Sequence, residues 1–146
     1  MRSLLVALCL FASYVVACDE AVRDVLLQHY QQWQDTNNRN YKYILNKQCF
    51  CAPEYTQELQ VTVFNGKVTD VISTDSGEKV KSKIFDQQLT ITEWYELALD
   101  SLSNKHGEVK VTFDAGVSYP SSVYIDQHKM RADDEYTVFI KQLIQQ

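Results

Sequence analysis

The dipeptide Asn65-Gly66 constrains the fold of this chain more than any other pair of residues in it. Leu59, Val61 and Val63 alternate with polar neighbours before it, and Val68, Val71 and Ile72 follow it. Asn and Gly both accept the positive φ that a two-residue hairpin turn demands. Glu58 to Ile72 is therefore expected to form two antiparallel strands, ended by the turn Asp75-Ser76-Gly77.

The flanking segments extend this pattern. Asp19 to Asp35 places Val22, Val25, Leu26, His29, Tyr30 and Trp33 at three- and four-residue steps, the stripe of an amphipathic helix. Asn40 to Phe50 alternates Tyr41, Tyr43 and Leu45 against Lys42 and Asn46, as a strand does, before a turn at Ala52-Pro53-Glu54. Lys79 to Gln88 reads as a connection. A second helix opens at Thr90-Ile91-Thr92-Glu93, with Thr92 as its expected N-cap, buries Ile91, Trp94, Leu97, Ala98 and Leu102, and closes at His106-Gly107. Three strands follow, around Val109–Phe113, Tyr119–Ile125 and Tyr136–Ile140, with Gln142–Gln146 expected to fray. The order is helix, three strands, helix, three strands. It predicts an α+β fold of two αβββ halves, an antiparallel sheet with helices packed on one face.

The first residues carry an address. Met1-Arg2 precedes Ser3–Val16, an uncharged run rich in Leu and Val, and Ala17 is a small residue at a cleavage position. The run is about 14 residues, short of the ~20 that cross a bilayer as a helix. Residues 1–17 are therefore expected to be a signal peptide and 18–146 a single domain. Val15-Val16-Ala17-Cys18 resembles a bacterial lipobox, in which the cysteine is lipidated and becomes the mature N-terminus. In a eukaryote the same residues would direct plain secretion.

Cysteine parity bears on that choice. Of Cys9, Cys18, Cys49 and Cys51, the first leaves with the signal peptide. Three remain in an oxidising compartment, an odd number. Lipidation of Cys18 leaves Cys49 and Cys51 as a pair. A strand puts residues i and i+2 on one face, but its full extension holds their Cα atoms near the ~7 Å limit for a bridge, so a disulfide needs a local bend. Free thiols, or pairing with Cys18, are the alternatives.

Charge narrows the partners. Removing Arg2 from the 14 basic side chains leaves 13 against 19 acidic ones, a formal balance of −6. An acidic chain with no basic run argues against nucleic acid and against electrostatic docking on anionic lipid. Membrane attachment is expected only through acyl chains at Cys18. No Asn-X-Ser/Thr sequon occurs.

Trp33, Asn40-Tyr41-Lys42-Tyr43, Cys49-Phe50-Cys51 and Pro53-Glu54 stand in order in the first half. Val61-Thr62-Val63-Phe64-Asn65-Gly66-Lys67-Val68 occupies the middle. Tyr119-Pro120-Ser121-Ser122-Val123-Tyr124-Ile125-Asp126 and Ala132-Asp133-Asp134-Glu135-Tyr136 lie toward the end. This ordered set resembles the DUF6174 family over most of residues 30–140. The resemblance implies a small exported protein, in many members lipoprotein-like, with no assigned activity and no catalytic residues to carry over.

The residues themselves offer little chemistry. Cys49 and Cys51 could form a reducible bridge, but a bridge that pins a strand end is the simpler reading. Zinc needs about four ligands, and His29, His106 and His128 are scattered. Asp126 with Asp133-Asp134-Glu135 lacks the alternating oxygens of a calcium loop and reads as a solvated acidic turn. Ser121-Ser122 sits in no Gly-X-Ser-X-Gly elbow. Glu54, Glu58 and Glu93 form no legible pair, and no glycine-rich phosphate loop is present. No cofactor, metal or catalytic residue is expected. The sequence favours a lipid-anchored, non-enzymatic binding module of the cell envelope, its ligand an unidentified protein or small molecule held on aromatic residues of an open sheet face. A thiol-active or hydrolytic periplasmic protein using Cys49 and Cys51 is one alternative, and a plain secreted protein of structural role is the other.

Overall fold

The fold is given by a computed structural model that describes the backbone of residues 9–146 and the side chains from Glu20 onward. Residues 1–8 of the expected export segment, and the side chains of its remainder and of Cys18, lie outside the described residues.

Among the described residues three helices and six strands follow one another: α1 (Cys9–Asp35), β1 (Tyr41–Cys49), β2 (Leu59–Phe64), β3 (Lys67–Ser73), α2 (Ser82–Phe85), α3 (Ile91–Ser101), β4 (Glu108–Thr112), β5 (Ser122–Asp126) and β6 (Tyr136–Gln145). A 3-10 turn, Pro53–Tyr55, joins β1 to β2. The strands form one antiparallel sheet in the order β3-β2-β1-β6-β5-β4. The architecture is α+β, as the element pattern predicts.

Period-two alternation decides which side of each strand is buried. Tyr41, Tyr43 and Leu45 of β1 face Val63, Val61 and Leu59 of β2 in register. Val71, Val109, Val123, Ile125, Val138 and Ile140 continue this inner face, and all of these are buried. Leu26 and Trp33 of α1, Ile84 of α2, and Ile91, Trp94, Tyr95 and Ala98 of α3 cover it. Fully burying side chains of this size contributes roughly 1.5–3 kcal/mol each. Both long helices thus lie on one face.

Each half is a three-strand meander, and β1 and β6 join the two at the centre. The first strand of one half meets the last strand of the other. A two-fold axis through the sheet would bring the same strand of each half to the seam, so the halves share an element order and not a symmetry.

Polar contacts tie helices to sheet. Tyr41 Oη accepts the amide of Ile91 at 2.9 Å, Tyr43 Oη donates to the carbonyl of Leu89, and Tyr95 Oη donates to the carbonyl of Ser118 at 2.7 Å. Trp33 Nε1 donates to Thr92 Oγ1 at 3.2 Å, joining α1 to α3. Thr92 is therefore engaged elsewhere, and the N-cap of α3 is Thr90. Its hydroxyl accepts from Glu93 N and the Glu93 carboxylate accepts from Thr90 N, a complete capping box.

Other boundaries also differ from expectation. α1 ends at Asp35 as predicted, but its start lies upstream, at Cys9. α3 stops near Ser101, because Ser103, Asn104 and Gly107 turn the chain toward β4 through short-range backbone bonds. The connection Lys79–Gln88 contains α2, which inserts Ile84 into the core. β5 begins at Ser122, two residues beyond Pro120. β6 does not fray at Gln142. It continues to Gln145 through a bulge that places Gln142 at φ 48°, and it keeps pairing with Lys42 and Tyr41.

Candidate functional site

The sheet face turned away from the helices collects side chains from every strand. Lys42, Ile44 and Asn46 of β1 lie among Gln60, Thr62 and Phe64 of β2 and Thr137, Phe139 and Lys141 of β6. Ile72 of β3, Tyr124 of β5 and Lys110 of β4 extend it to both sides. Among the described residues no helix covers this face. Phe64 is 60% exposed and Ile144, at the end of β6, 62%. The Lys110 ammonium lies 5.1 Å from the centre of the Tyr124 ring. The result is a broad amphipathic surface in which aromatic and branched side chains alternate with amides, hydroxyls and lysines.

Cys49 and Cys51 stand at the end of β1 at disulfide distance, with Cα atoms 5.3 Å apart. The bend that closes this distance begins at Phe50, just past the strand end. Phe50 itself is thrown outward, 82% exposed. Nearby, Lys47 lies 4.6 Å from the centre of the Tyr136 ring, and desolvation lowers its pKa. A cavity of about 30 Å³ between Lys47, Tyr55, Ile84 and Trp94 has room for a water and no more.

The carboxylates weighed from sequence are each occupied by a structural partner. Glu54 bonds Lys83 and Lys81, and these cations hold its pKa below the usual carboxylate range. Glu58 accepts from Lys141 at 3.3 Å and Thr74 at 3.2 Å. Glu93 completes the cap of α3. Thr112 Oγ1 hydrogen-bonds both Ser121 and Ser122, at 3.2 and 2.7 Å, and no histidine takes part. His29 stacks on Phe113 with ring centres 3.7 Å apart, the boundary position its place on the α1 stripe implies. His106 and His128 are brought together as stacked rings 5.3 Å apart, which their spacing did not suggest. Among the described residues no three His, Cys, Asp or Glu side chains are arranged to hold a metal ion. The acidic turn is less solvated than its composition implies. Both Asp134 carboxylate oxygens are shielded from solvent and lack a hydrogen-bond partner.

One feature was not visible in the sequence. At the β4 edge, Val22 of α1, Leu102 and Val109 floor a groove of about 490 Å³ rimmed by Lys105, Lys110 and Lys129. These lysines are separated by 5 and 19 positions in the chain, and only the fold assembles them.

The sequence profile of DUF6174, described as a family of unknown function, matches residues 25–145. The chain belongs to the DUF6174 family. The match begins inside α1 and takes in every strand of the sheet, so the open face, the Cys49–Cys51 pair and the lysines of the groove all lie within the DUF6174 region. No curated protein and no solved structure matches this chain.

Proposed function

We propose that this DUF6174 protein is an exported, lipid-anchored, non-enzymatic binding module of the cell envelope. The observation that carries the binding role is the open outer face. A solvated antiparallel sheet face is ordinarily polar, whereas here Ile44, Phe64, Ile72, Tyr124 and Phe139 recur across five strands. Such surfaces hold a protein or a small molecule by apolar contact framed with hydrogen bonds. Occupation of Glu54, Glu58 and Glu93 by structural partners supports a role without acid–base chemistry. Export and anchoring rest on Arg2, the apolar run Ser3–Val16 and the position of Cys18.

A thiol-active role is the second reading, and the bend that presents Cys49, Phe50 and Cys51 at the surface favours it. One pair of variants separates the two. A photo-crosslinking residue at position 64 is expected to capture a recurring partner in intact cells, with or without Cys49→Ser. Recurring mixed disulfides on Cys51 in the Cys49→Ser protein, with no crosslink from position 64, would replace the binding reading with the thiol one.

A further inference from the structure

Cys49 and Cys51 stand two positions apart and their bridge joins no two elements. The chain on either side is held without it. Cys49 lies opposite Tyr136, the last of a continuous run of β1–β6 pairs that starts at Ile44. Past Cys51 the turn Pro53–Tyr55 is closed by its own bonds, Tyr55 N to the Ala52 carbonyl at 2.9 Å and Thr56 N to the Pro53 carbonyl at 3.1 Å. Asn46 Nδ2 ties that turn to β1 through the Thr56 carbonyl at 3.1 Å, and Glu54 ties it to Lys81 and Lys83. Closing so short a loop also removes little entropy from the unfolded chain. Bridge and fold stabilise each other by the same amount, so a bridge that adds little to the fold gains little protection from it. The surroundings suit exchange. Cys51 is exposed, Cys49 is half-buried, and Phe50 between them is 82% exposed. Lys47 precedes Cys49 by two residues on the same strand face. Its ammonium lies 4.6 Å from the centre of the ring of Tyr136, the residue directly opposite Cys49. Among the described residues no carboxylate lies within 4.0 Å of that ammonium.

We infer that Cys49–Cys51 is an exchangeable disulfide that is donated to pairs of cysteine thiols in other exported polypeptides, with Phe50 as the apolar contact beside it. A substrate thiolate attacks Sγ of the exposed Cys51. The Cys49–Cys51 bond breaks as the substrate–Cys51 bond forms, and Cys49 leaves as a thiolate on the strand face that carries the Lys47 ammonium, which stabilises the new charge. The second substrate thiolate then attacks the substrate sulfur of this mixed disulfide and expels Cys51. Two electrons pass to the protein, the two substrate protons end on Cys49 and Cys51, and the substrate keeps the bridge. A disulfide of glutathione or of another protein restores Cys49–Cys51 by the reverse exchange. The inference deepens the thiol reading above and rests on the proposed export for its oxidising surroundings. It stands beside the sheet-face role, because Lys47 and Cys49 lie on the strand face opposite to Ile44 and Asn46.

The test uses the processed protein purified from producing cells, held in glutathione buffers of graded ratio, with free thiols alkylated and counted by mass. The bridge is expected to open roughly 10³-fold more readily than a structural disulfide of a secreted protein. The double variant Cys49→Ser with Cys51→Ser should melt within about 5 °C of the native chain. A synthetic peptide with two cysteine thiols should lose two hydrogens for each bridge that opens. Cys49→Ser, which leaves Cys51 as an exposed thiol, should trap the oxidised peptide as a mixed disulfide, and Cys51→Ser should trap several-fold less. Lys47→Gln should slow opening by the peptide roughly threefold, and Lys47→Arg should restore it. A bridge that resists glutathione until the fold melts, or a double variant that melts about 10 °C lower or more, would make the pair structural and overturn the inference. Equal trapping by the two single variants would overturn the attack at Cys51. A purified chain that still carries residues 1–17 would overturn the export and the exported substrates with it. Capture of a partner from position 64 reads the sheet face alone, so the binding reading and this one fail separately.

Discussion

At the scale of single residues, the buried tyrosines are the most consequential side chains. Tyr41, Tyr43 and Tyr95 fill the space between sheet and α3, and their hydroxyls satisfy backbone groups at Ile91, Leu89 and Ser118. Burial disfavours their charged forms. It pushes Tyr41 up to about 12, with the Ile91 amide opposing the rise and the Glu93 charge adding to it, and it raises Tyr43 and Tyr95 as well. The unfolded chain releases these protons near pH 10. Above that pH the folded state binds more protons than the unfolded one, so stability is full below pH 10 and falls as pH rises. Unfolding free energies from urea titrations are expected to drop between pH 10 and 12 by up to ~1.4 kcal/mol per pH unit for each tyrosine involved, and Tyr41→Phe should flatten part of that slope. Stability constant over this range would contradict the assignment. The alternation of Tyr41 and Tyr43 made their burial legible in the sequence. The partners of their hydroxyls were not legible, because Leu89 and Ile91 lie 46 and 50 residues away.

At the scale of elements, local chemistry was read most faithfully where one turn decides the outcome. Asn65 and Gly66 take φ 52° and 74° and close the β2–β3 hairpin as their types require. The tip is clamped to the start of β1, since Asn65 N donates to Asn40 Oδ1 at 2.7 Å and Gly66 N to the Arg39 carbonyl at 2.9 Å. Gly66→Ala leaves these bonds in place but forces an L side chain into the left-handed region, at a cost of roughly 1–2 kcal/mol. A thermal melt should show that loss, and an unchanged melting temperature would argue for a different turn. The cap of α3 was misread although its signal is local: Thr90-Ile91-Thr92-Glu93 has the Thr-x-x-Glu spacing of a capping box, which Thr92 with Tyr95 lacks. Long-range contacts are the opposite case: they bring Lys105, Lys110 and Lys129 to one groove at the β4 edge, and no local pattern could announce it.

At the scale of the whole molecule, the α+β class followed from element order, while the strand order did not. Pairing of β1 with β6 joins the first strand to the last and places both at the centre of the sheet. Amide hydrogens there are buried on the inner side and paired on both edges, whereas β4 keeps an open edge and β3 is paired on its outer side only near Ile72, by the segment Glu78–Val80. Hydrogen exchange is therefore expected to be slowest in residues 43–47 and 137–141 and faster in β3 and β4. Uniform protection across the sheet would contradict this topology. The same arrangement leaves one face of the sheet without a covering helix among the described residues and sets the β4 edge beside Val22 of α1. Everything proposed about where the protein works then converges on Cys18. The most direct measurement is the intact mass of the protein isolated from its own cells. The account predicts a chain beginning at Cys18, heavier than its sequence by the acyl groups and lighter by the two hydrogens of a Cys49–Cys51 bridge. A chain with an unmodified Cys18, or one that still carries residues 1–17, would contradict it.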